Sequence, residues 1–188
     1  MKKLIAVSFV ALVLPGVALA HAKISPPVAL AKVGQVYTLA VPTEKEGAFT
    51  TQVDLTPPPG FSIDSFVPAA GWTRKVQQTG SGEEAVITKV SWTGGHVATG
   101  DDAAFSFLGQ PASAKTYTFG VRQTYSDGSV VDWSGDESSD TPAPTLEARS
   151  SLGGGGSSTL AIVAIVVGGI GILLGGLALA SGGRRSLA

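Results

Sequence analysis

Few side chains in this sequence could carry out chemistry, and this limits the reactions open to it. The chain has 188 residues, with two histidines, no cysteine and a single methionine at position 1. A disulfide framework, a zinc-thiolate site and a cysteine nucleophile are therefore excluded. No segment resembles the nucleophile elbow of a serine hydrolase. The imidazoles of His21 and His96, together with carboxylates, remain as candidate ligands for a metal ion.

His21 follows a segment that is typical of a secretory signal peptide. Met1-Lys2-Lys3 is a positive n-region, Leu4 to Leu14 is an apolar h-region, and Ala18-Leu19-Ala20 fits an Ala-x-Ala cleavage site. Residues 1–20 are therefore predicted to be a signal peptide, whose removal leaves His21 as the first residue. An uncleaved anchor is the alternative, but the apolar run is short for a membrane span.

An amino-terminal histidine offers two nitrogen donors from one residue. Its free amine and its imidazole Nδ1 can close a chelate ring on a single metal ion, and both lose their protons to a strongly binding divalent metal near neutral pH. Among divalent first-row ions, copper(II) binds such nitrogen sites most tightly and favours the tetragonal geometry that a planar chelate supplies. The alternative is that cleavage leaves a histidine first by coincidence.

Several segments across residues 21–145 resemble the YcnI-like family of copper-binding extracytoplasmic domains. The segments that carry the resemblance are His21-Ala-Lys-Ile-Ser-Pro26, Tyr37-Thr-Leu-Ala-Val-Pro-Thr-Glu-Lys-Glu-Gly47, Thr50-Thr-Gln-Val-Asp-Leu55, Pro59-Gly60, Gly71-Trp72, Val90-Ser-Trp92, Tyr125-Ser-Asp-Gly128, Val131-Asp-Trp133 and Pro142-Ala-Pro144. Each fragment alone is a weak signal, and the combination is specific. The resemblance implies a single-histidine brace for copper(II), made of the terminal amine and imidazole, a glutamate carboxylate and a tryptophan beside the metal.

Carried over by motif, the brace residues are His21, Glu44 in the Val-Pro-x-Glu segment, and Trp133 after the Asp-Gly turn. Glu46 is the alternative carboxylate, since spacing alone does not decide between two loop residues. Trp133 has the alternative of being an ordinary core aromatic, as Trp72 and Trp92 are predicted to be. Its indole only donates hydrogen bonds, so beside a metal it packs against the site and supplies no lone pair.

The residues that must position this site read as β-strands. Five stretches are rich in β-branched or aromatic residues, and several alternate apolar with polar residues: 35–41, 50–55, 85–92, 103–108 and 116–125. Asp127-Gly128 predicts a hairpin, whereas Pro57 to Gly60 and Gly94-Gly95 predict loops. His96 is accordingly expected in an exposed loop. With no helical period between them, such strands favour an antiparallel β-sandwich over residues 21–140.

The carboxy-terminal part has the pattern of a membrane anchor. Residues 141–159 are rich in Pro, Gly and Ser and predict a linker, and residues 160–180 carry no charge and are long enough for a transmembrane helix. Arg184 and Arg185 in the tail, residues 181–188, place that tail in the cytoplasm by the positive-inside rule. Between the two terminal segments there are nine basic and fourteen acidic residues. This acidic balance excludes a nucleic-acid binder built on a basic face.

The sequence thus predicts a membrane-anchored, extracytoplasmic copper(II)-binding protein at the cell membrane. The expected role is that of a metallochaperone in copper acquisition or homeostasis, with a copper transporter or a copper-receiving protein as partner and no enzymatic activity. Two alternatives remain open. One is a copper-dependent oxidative enzyme that uses His21 and His96, and the other is a metal-free cell-surface scaffold domain.

Overall fold

The computed structural model describes residues 21–153 and 158–182, in two separate units that divide after Ser150. The predicted signal peptide, residues 1–20, and residues 183–188 of the predicted tail lie outside the described residues. The strands are β1 (Lys23–Ser25), β2 (Val28–Leu30), β3 (Gln35–Pro42), β4 (Thr50–Thr56), β5 (Phe61–Phe66), β6 (Thr73–Thr79), β7 (Val86–Val97), β8 (Asp102–Pro111), β9 (Thr116–Thr118), β10 (Gly120–Tyr125), β11 (Val130–Trp133) and β12 (Thr145–Arg149).

Two antiparallel sheets form the body of the first unit. One has four strands in the order β1-β3-β8-β5, and the other has five in the order β11-β10-β4-β7-β6. A short third sheet, β2-β12-β9, contains a parallel pair, because β12 runs alongside β2 in the same direction. The predicted all-β sandwich is confirmed, with this one parallel pair as a departure from an entirely antiparallel arrangement.

Aromatic side chains fill the space between the two main sheets. Trp92 of β7 stacks on Phe105 of β8 with ring centroids 4.3 Å apart, and Trp72 meets the same ring edge-on at 4.9 Å. Trp92 is 1% exposed, as predicted for a core residue, whereas Trp72 is only partly buried and packs against the core. Burial of such large rings contributes strongly to the stability of a sandwich of this size.

The prediction of a loop at Gly94-Gly95 is wrong, because β7 continues through both glycines to Val97. The register between β4 and β7 shifts here, where Thr50 pairs with Val97 but Gln52 pairs with Thr93. Such a bulge uses glycine inside a strand without ending it. Gly94 adopts a φ of 88°, and a Cβ on Gly95 would lie 2.1 Å from the Trp72 ring. His96 is therefore a strand residue rather than a loop residue.

Five strands lie outside the predicted stretches and the predicted hairpin: the three-residue strands β1 and β2, and strands β5, β6 and β12. Every residue of β6 is exposed, so this edge strand has no apolar alternation to detect. Strand β5 has a register shift against β8 that disturbs its alternation. Strand β12 lies inside residues 141–159, which were predicted to be linker, and it buries Leu146 and Ala148 between β9 and β2. Its short apolar pattern follows a Pro-rich segment that by itself favours an extended linker.

The outer face of the five-stranded sheet carries one nearly buried carboxylate. Asp54 of β4 is 6% exposed, accepts a hydrogen bond from Gln52 Nε2 at 3.0 Å and pairs with Lys89 Nζ at 3.0 Å. Burial raises the pKa of Asp54, but hydrogen bonds from Ser91, Lys89 and Gln52 outweigh it and leave the pKa below its usual value. The carboxylate is therefore held in its charged form.

The second unit contains helix α1 (Ser158–Gly182), which covers the apolar segment 160–180. Among the described residues, no helix combines the length and apolar character that a membrane crossing requires. The transmembrane assignment of residues 160–180 stays a prediction.

Candidate metal centre

Strands β1 and β3 bring His21 and Glu44 to the same end of the sandwich. The two strands are antiparallel neighbours, with Lys23 opposite Ala40. Continued by two residues, this register sets His21 opposite Pro42, the last residue of β3. Glu44 follows two residues later. The pairing of the edge strand β1 with its neighbour β3 therefore brings two segments that are far apart in the sequence to the same end of the sheet.

The loop that carries Glu44 is fastened to the turn before β8. The backbone N–H of Thr43 donates to the carbonyl of Asp101, and the N–H of Gly100 donates back to the carbonyl of Thr43, both at 2.9 Å. One residue beyond Glu44, the carbonyl of Lys45 accepts a hydrogen bond from Thr99 Oγ1 at 2.6 Å. Glu44 itself is exposed, but the backbone on both sides of it is fixed.

The β10–β11 hairpin holds the same loop from its other side. Lys45 Nζ pairs with the carboxylate of Asp127 and donates to Ser129 Oγ at 2.8 Å. The hydrogen bond from Lys45, followed by those from Ser129, keeps the pKa of Asp127 well below its usual value. The Asp-Gly turn predicted from the sequence is confirmed, with Gly128 at a φ of 81°. This turn reverses the chain and also anchors the loop that carries Glu44.

Tyr125 lies against the backbone of this loop. Burial raises the pKa of the Tyr125 phenol, while a hydrogen bond with the backbone of Glu44 acts in the opposite direction. The negative charge of the Glu44 carboxylate raises the pKa of Tyr125 as well. Tyr125 is 4% exposed, so it forms part of the floor beneath Glu44.

Trp133 is buried next to this floor and belongs to a polar network. Its indole Nε1 donates to Gln123 Oε1 at 3.0 Å, and the side chain is 1% exposed. Gln123 Nε2 in turn donates to the carbonyl of Pro42 at 2.9 Å and to Thr50 Oγ1 at 2.7 Å. The hydroxyls of Thr50 and Thr43 are 2.7 Å apart. A continuous chain of hydrogen bonds therefore runs from the predicted tryptophan to the residue before Glu44.

Two cavities open at this end. Glu44 and Trp133 line one of about 400 Å³, together with Tyr125 and Asp140. His21 lines another of about 650 Å³, together with the acidic residues 136 and 137. Residues of the segment 133–142 line both cavities, so the two adjoin the same stretch of chain. The structure thus brings Glu44 and Trp133 together and sets His21 in the adjoining cavity.

The donor set fits a copper(II) brace, although the ligand assignment of His21, Glu44 and Trp133 stays a prediction. No group of three His, Cys, Asp or Glu side chains in the described residues is arranged to hold a metal ion. A single-histidine brace needs two such side chains, because its remaining nitrogen is the backbone amine of residue 21 that cleavage would free. Two nitrogens and a carboxylate oxygen are donors that copper(II) accepts. Glu46, the alternative carboxylate, lines neither cavity.

His96, the second histidine, is engaged elsewhere. Its ring stacks on Phe49 with centroids 3.8 Å apart and an interplanar angle of 28°, and the residue is exposed. It lines neither of the two cavities. This arrangement confirms the expectation of a surface histidine and gives the two-histidine alternative no geometric support.

Sequence reasoning missed Gln123, Tyr125 and Asp140. Gln123 had a detectable signal, because it occupies an inward position in the alternating strand β10, between Val121 and Tyr125. A polar residue at such a position is buried with a hydrogen-bond partner or not at all. Tyr125 belongs to a segment that carries the family resemblance, but nothing in the sequence marks it as a site residue. Asp140 follows the last predicted strand, where no pattern relates it to Glu44.

Comparisons with known proteins bear on the family and the fold of this chain. The family model for the domain of unknown function DUF1775 matches residues 21–148. The copper-binding protein CutI of Bacillus subtilis is 33% identical over 124 residues, which cover 65% of this chain and 59% of that protein. The chain thus spans less than two thirds of this relative.

A solved structure matches the fold directly. A protein from Nocardia farcinica, described as having an immunoglobulin-like fold, superposes with a TM-score of 0.59 and 31% identity, covering 70% of this chain and 99% of that one. The sandwich of this chain is therefore immunoglobulin-like.

Proposed function

Because the chain belongs to the DUF1775 family, the YcnI-like copper-binding family that its sequence resembles, we propose that it binds copper(II) outside the cytoplasm and hands the ion on. The observation that supports the proposal is the pairing of β1 with β3. Continued two residues beyond Lys23 and Ala40, its register leads to His21 opposite Pro42, which precedes Glu44 by two residues. The receiver in this proposal is a copper transporter or a copper-receiving protein. Copper is thus the cargo of the protein.

Each residue of the site has a separate task. His21 chelates the ion through its imidazole and its amine, and Glu44 contributes a carboxylate oxygen that offsets part of the positive charge. The indole N–H of Trp133 already donates to Gln123, so this side chain packs beneath the site and does not ligate. Such an arrangement binds by ligand exchange, with no covalent step.

Accessibility supports transfer over storage. Glu44 is exposed and His21 is half-buried, so a partner protein can approach both ligands. The oxidative-enzyme alternative needs His96 as a second imidazole ligand, and the stacking of His96 on Phe49 disfavours it. For the metal-free scaffold alternative, no contact among the described residues gives specific support.

The location is part of the same proposal and rests on the sequence. Residues 1–20 direct export of the domain and are then removed, and residues 160–180 anchor it in the cell membrane with Arg184 and Arg185 on the cytoplasmic side. The test is extraction of membranes at alkaline pH. Recovery of the full chain in the soluble fraction would contradict the anchor without touching the copper site.

The experiment that tests copper binding compares two starting residues. The processed chain, residues 21–188, is titrated with copper(II) and examined by electron paramagnetic resonance, beside the same chain with one extra residue before His21. The extension keeps the imidazole but turns the amine into an amide. We expect one copper in a tetragonal nitrogen-oxygen site, with affinity lost or the spectrum changed in the extended chain.

The two carboxylates provide a matched pair of variants. Glu44→Gln is expected to weaken copper binding, whereas Glu46→Gln, two residues away on the same loop, leaves it unchanged. Equal binding by the native-start and extended chains would contradict the amine ligand. Absence of stoichiometric copper in both would favour the scaffold alternative.

A further inference from the structure

We propose that Gln123 is the positioning residue of the candidate metal centre, fixing Trp133 relative to the end of β3 that leads to Glu44. Its side chain is fully buried and lies on β10, outside the loop 43–49 that carries Glu44. The copper part of this inference rests on the proposed function, but its structural part does not.

One amide group joins four strands. Gln123 of β10 accepts from Trp133 Nε1 of β11 at 3.0 Å, and it donates to the Pro42 carbonyl of β3 at 2.9 Å and to Thr50 Oγ1 of β4 at 2.7 Å. Both hydrogens of the amide nitrogen and one lone pair of its oxygen are used. All of these partners are buried, so water does not compete for the bonds.

The chemistry of the partners dictates an amide at position 123. An indole N–H only donates, so it needs the amide oxygen, and the carbonyl of Pro42 only accepts, so it needs the amide nitrogen. A carboxylate would satisfy Trp133 but would set oxygen against oxygen at Pro42. An apolar side chain of the same length would satisfy neither. Asparagine has the same groups on a shorter chain and does not span the same distance.

The bonded atoms lie beside the predicted ligands. Continued two residues beyond Lys23 and Ala40, the β1–β3 register leads to His21 opposite Pro42, and Pro42 precedes Glu44 by two positions. Thr50 continues the network to the hydroxyl of Thr43, the residue directly before Glu44. Moving the Gln123 amide would therefore shift Trp133 and the Glu44 loop relative to one another. Partners that orient ligands in this way commonly alter metal affinity by about 10- to 100-fold.

The test uses Gln123→Glu, Gln123→Met and the control Gln78→Glu. Gln78 lies on β6, where every residue is exposed, so the control carries the same charge change without the network. Nuclear magnetic resonance of the metal-free processed chain reports the indole N–H of Trp133, assigned with Trp133→Phe, and the backbone N–H of Glu44. Copper(II) titration reports affinity.

We expect Gln123→Glu to keep the indole signal of Trp133 in place and to shift the Glu44 signal, because only the donor side of the amide is lost. Gln123→Met should shift both signals. Copper affinity should fall about tenfold in each, and Gln78→Glu should match the wild type. A folded Gln123→Met with unmoved Glu44 signal and unchanged copper affinity would overturn the proposal.

Two further outcomes are informative. If the wild-type chain binds no copper, the proposed function fails, and the Glu44 and Trp133 signals of the metal-free variants still decide the positioning role. If neither Gln123 variant folds, hydrogen exchange in the wild type decides. Side-chain amide protons of Gln123 that exchange as quickly as those of the exposed Gln78 would refute the network, and slow exchange would support it.

Discussion

Two tyrosines in the core have similar aromatic neighbours but differ in the hydrogen bonding of their hydroxyl groups. The rings of Tyr37 and Tyr117 both pack edge-on against Phe61, at 5.3 and 6.0 Å. Tyr37 Oη is buried and has no hydrogen-bond partner among the described residues. Tyr117 Oη accepts from the backbone N–H of Ser113 and donates to the carbonyl of the same residue, both at 3.0 Å. Removing each hydroxyl should therefore have effects of opposite sign.

Tyr37→Phe is expected to stabilise the domain. A buried hydroxyl without a partner costs about 1–3 kcal/mol, and phenylalanine keeps the ring and its contacts. Allowing for local relaxation, we expect a gain of about 1 kcal/mol, which raises the Tm of a domain of this size by about 3–5 °C. Tyr117→Phe leaves two backbone groups of Ser113 without their partner, so a loss of about 1–2 kcal/mol is expected.

The assay is urea unfolding followed by tryptophan fluorescence, repeated from pH 7 to pH 12. Burial, with a contribution from Tyr117, raises the pKa of Tyr37 from 10.0 to about 12. Because the unfolded state ionises first, the stability associated with the neutral phenol is complete below pH 10 and is lost as the pH approaches 12. The stability of the Tyr37→Phe variant should therefore depend less on pH between pH 10 and pH 12. A Tyr37→Phe variant that is less stable than the wild type at pH 7 would refute the reasoning, since the hydroxyl would then have a partner.

Three further predictions concern other parts of the sandwich. The lowered pKa of Asp54 gives stability that is present at neutral pH and is lost when the carboxylate is protonated. In acid unfolding, the stability of Asp54→Asn should therefore fall less steeply below pH 4 than that of the wild type. Gly95→Ala should cost about 1–3 kcal/mol in urea unfolding, because the new methyl group meets Trp72, and an unchanged midpoint would contradict the packing of that ring. Thr99→Val should cost about 1 kcal/mol and weaken copper(II) binding in titration, since it frees the carbonyl of Lys45; unchanged binding would show that the loop does not need this anchor.

Alternation of apolar and polar residues predicted the long strands that have one buried face, such as β3 and β8, but not the shorter β5 and β12. Residues 35–41 and 103–108 lie in β3 and β8, which pair along their length and bury every second side chain. Strand β6 has no buried face, so its existence depends on pairing with β7 and is invisible to local pattern. Gly94-Gly95 predicted a loop that does not exist. The two glycines lie at a β-bulge within β7, where Trp72 approaches the backbone closely, and not in a turn.

In the candidate site, too, some residues could be predicted from the sequence and others could not. His21 was found because its chemistry depends on its position in the chain, directly after a cleavage pattern. Glu44 and Trp133 came from a family motif, and the structure adds that they line one cavity. Gln123 could not be assigned a role from sequence, because its three partners lie on three other strands. Long-range pairing of strands, which determines such contacts, is not encoded in any local period.

Two of the three parts of the site are held by the fold before any metal arrives. The loop of Glu44 is bonded on both sides, and Trp133 is bonded to Gln123 inside the core. The third part, His21, lies next to Ala22, which is 3% exposed and continues the inward positions of β1 with Ile24. Burial at Ala22 limits the freedom of the residue before it, so less entropy is lost when a metal orders the amino terminus. In the proposed copper site, the one donor that the fold does not hold in advance is the amine of His21, which the predicted cleavage would free.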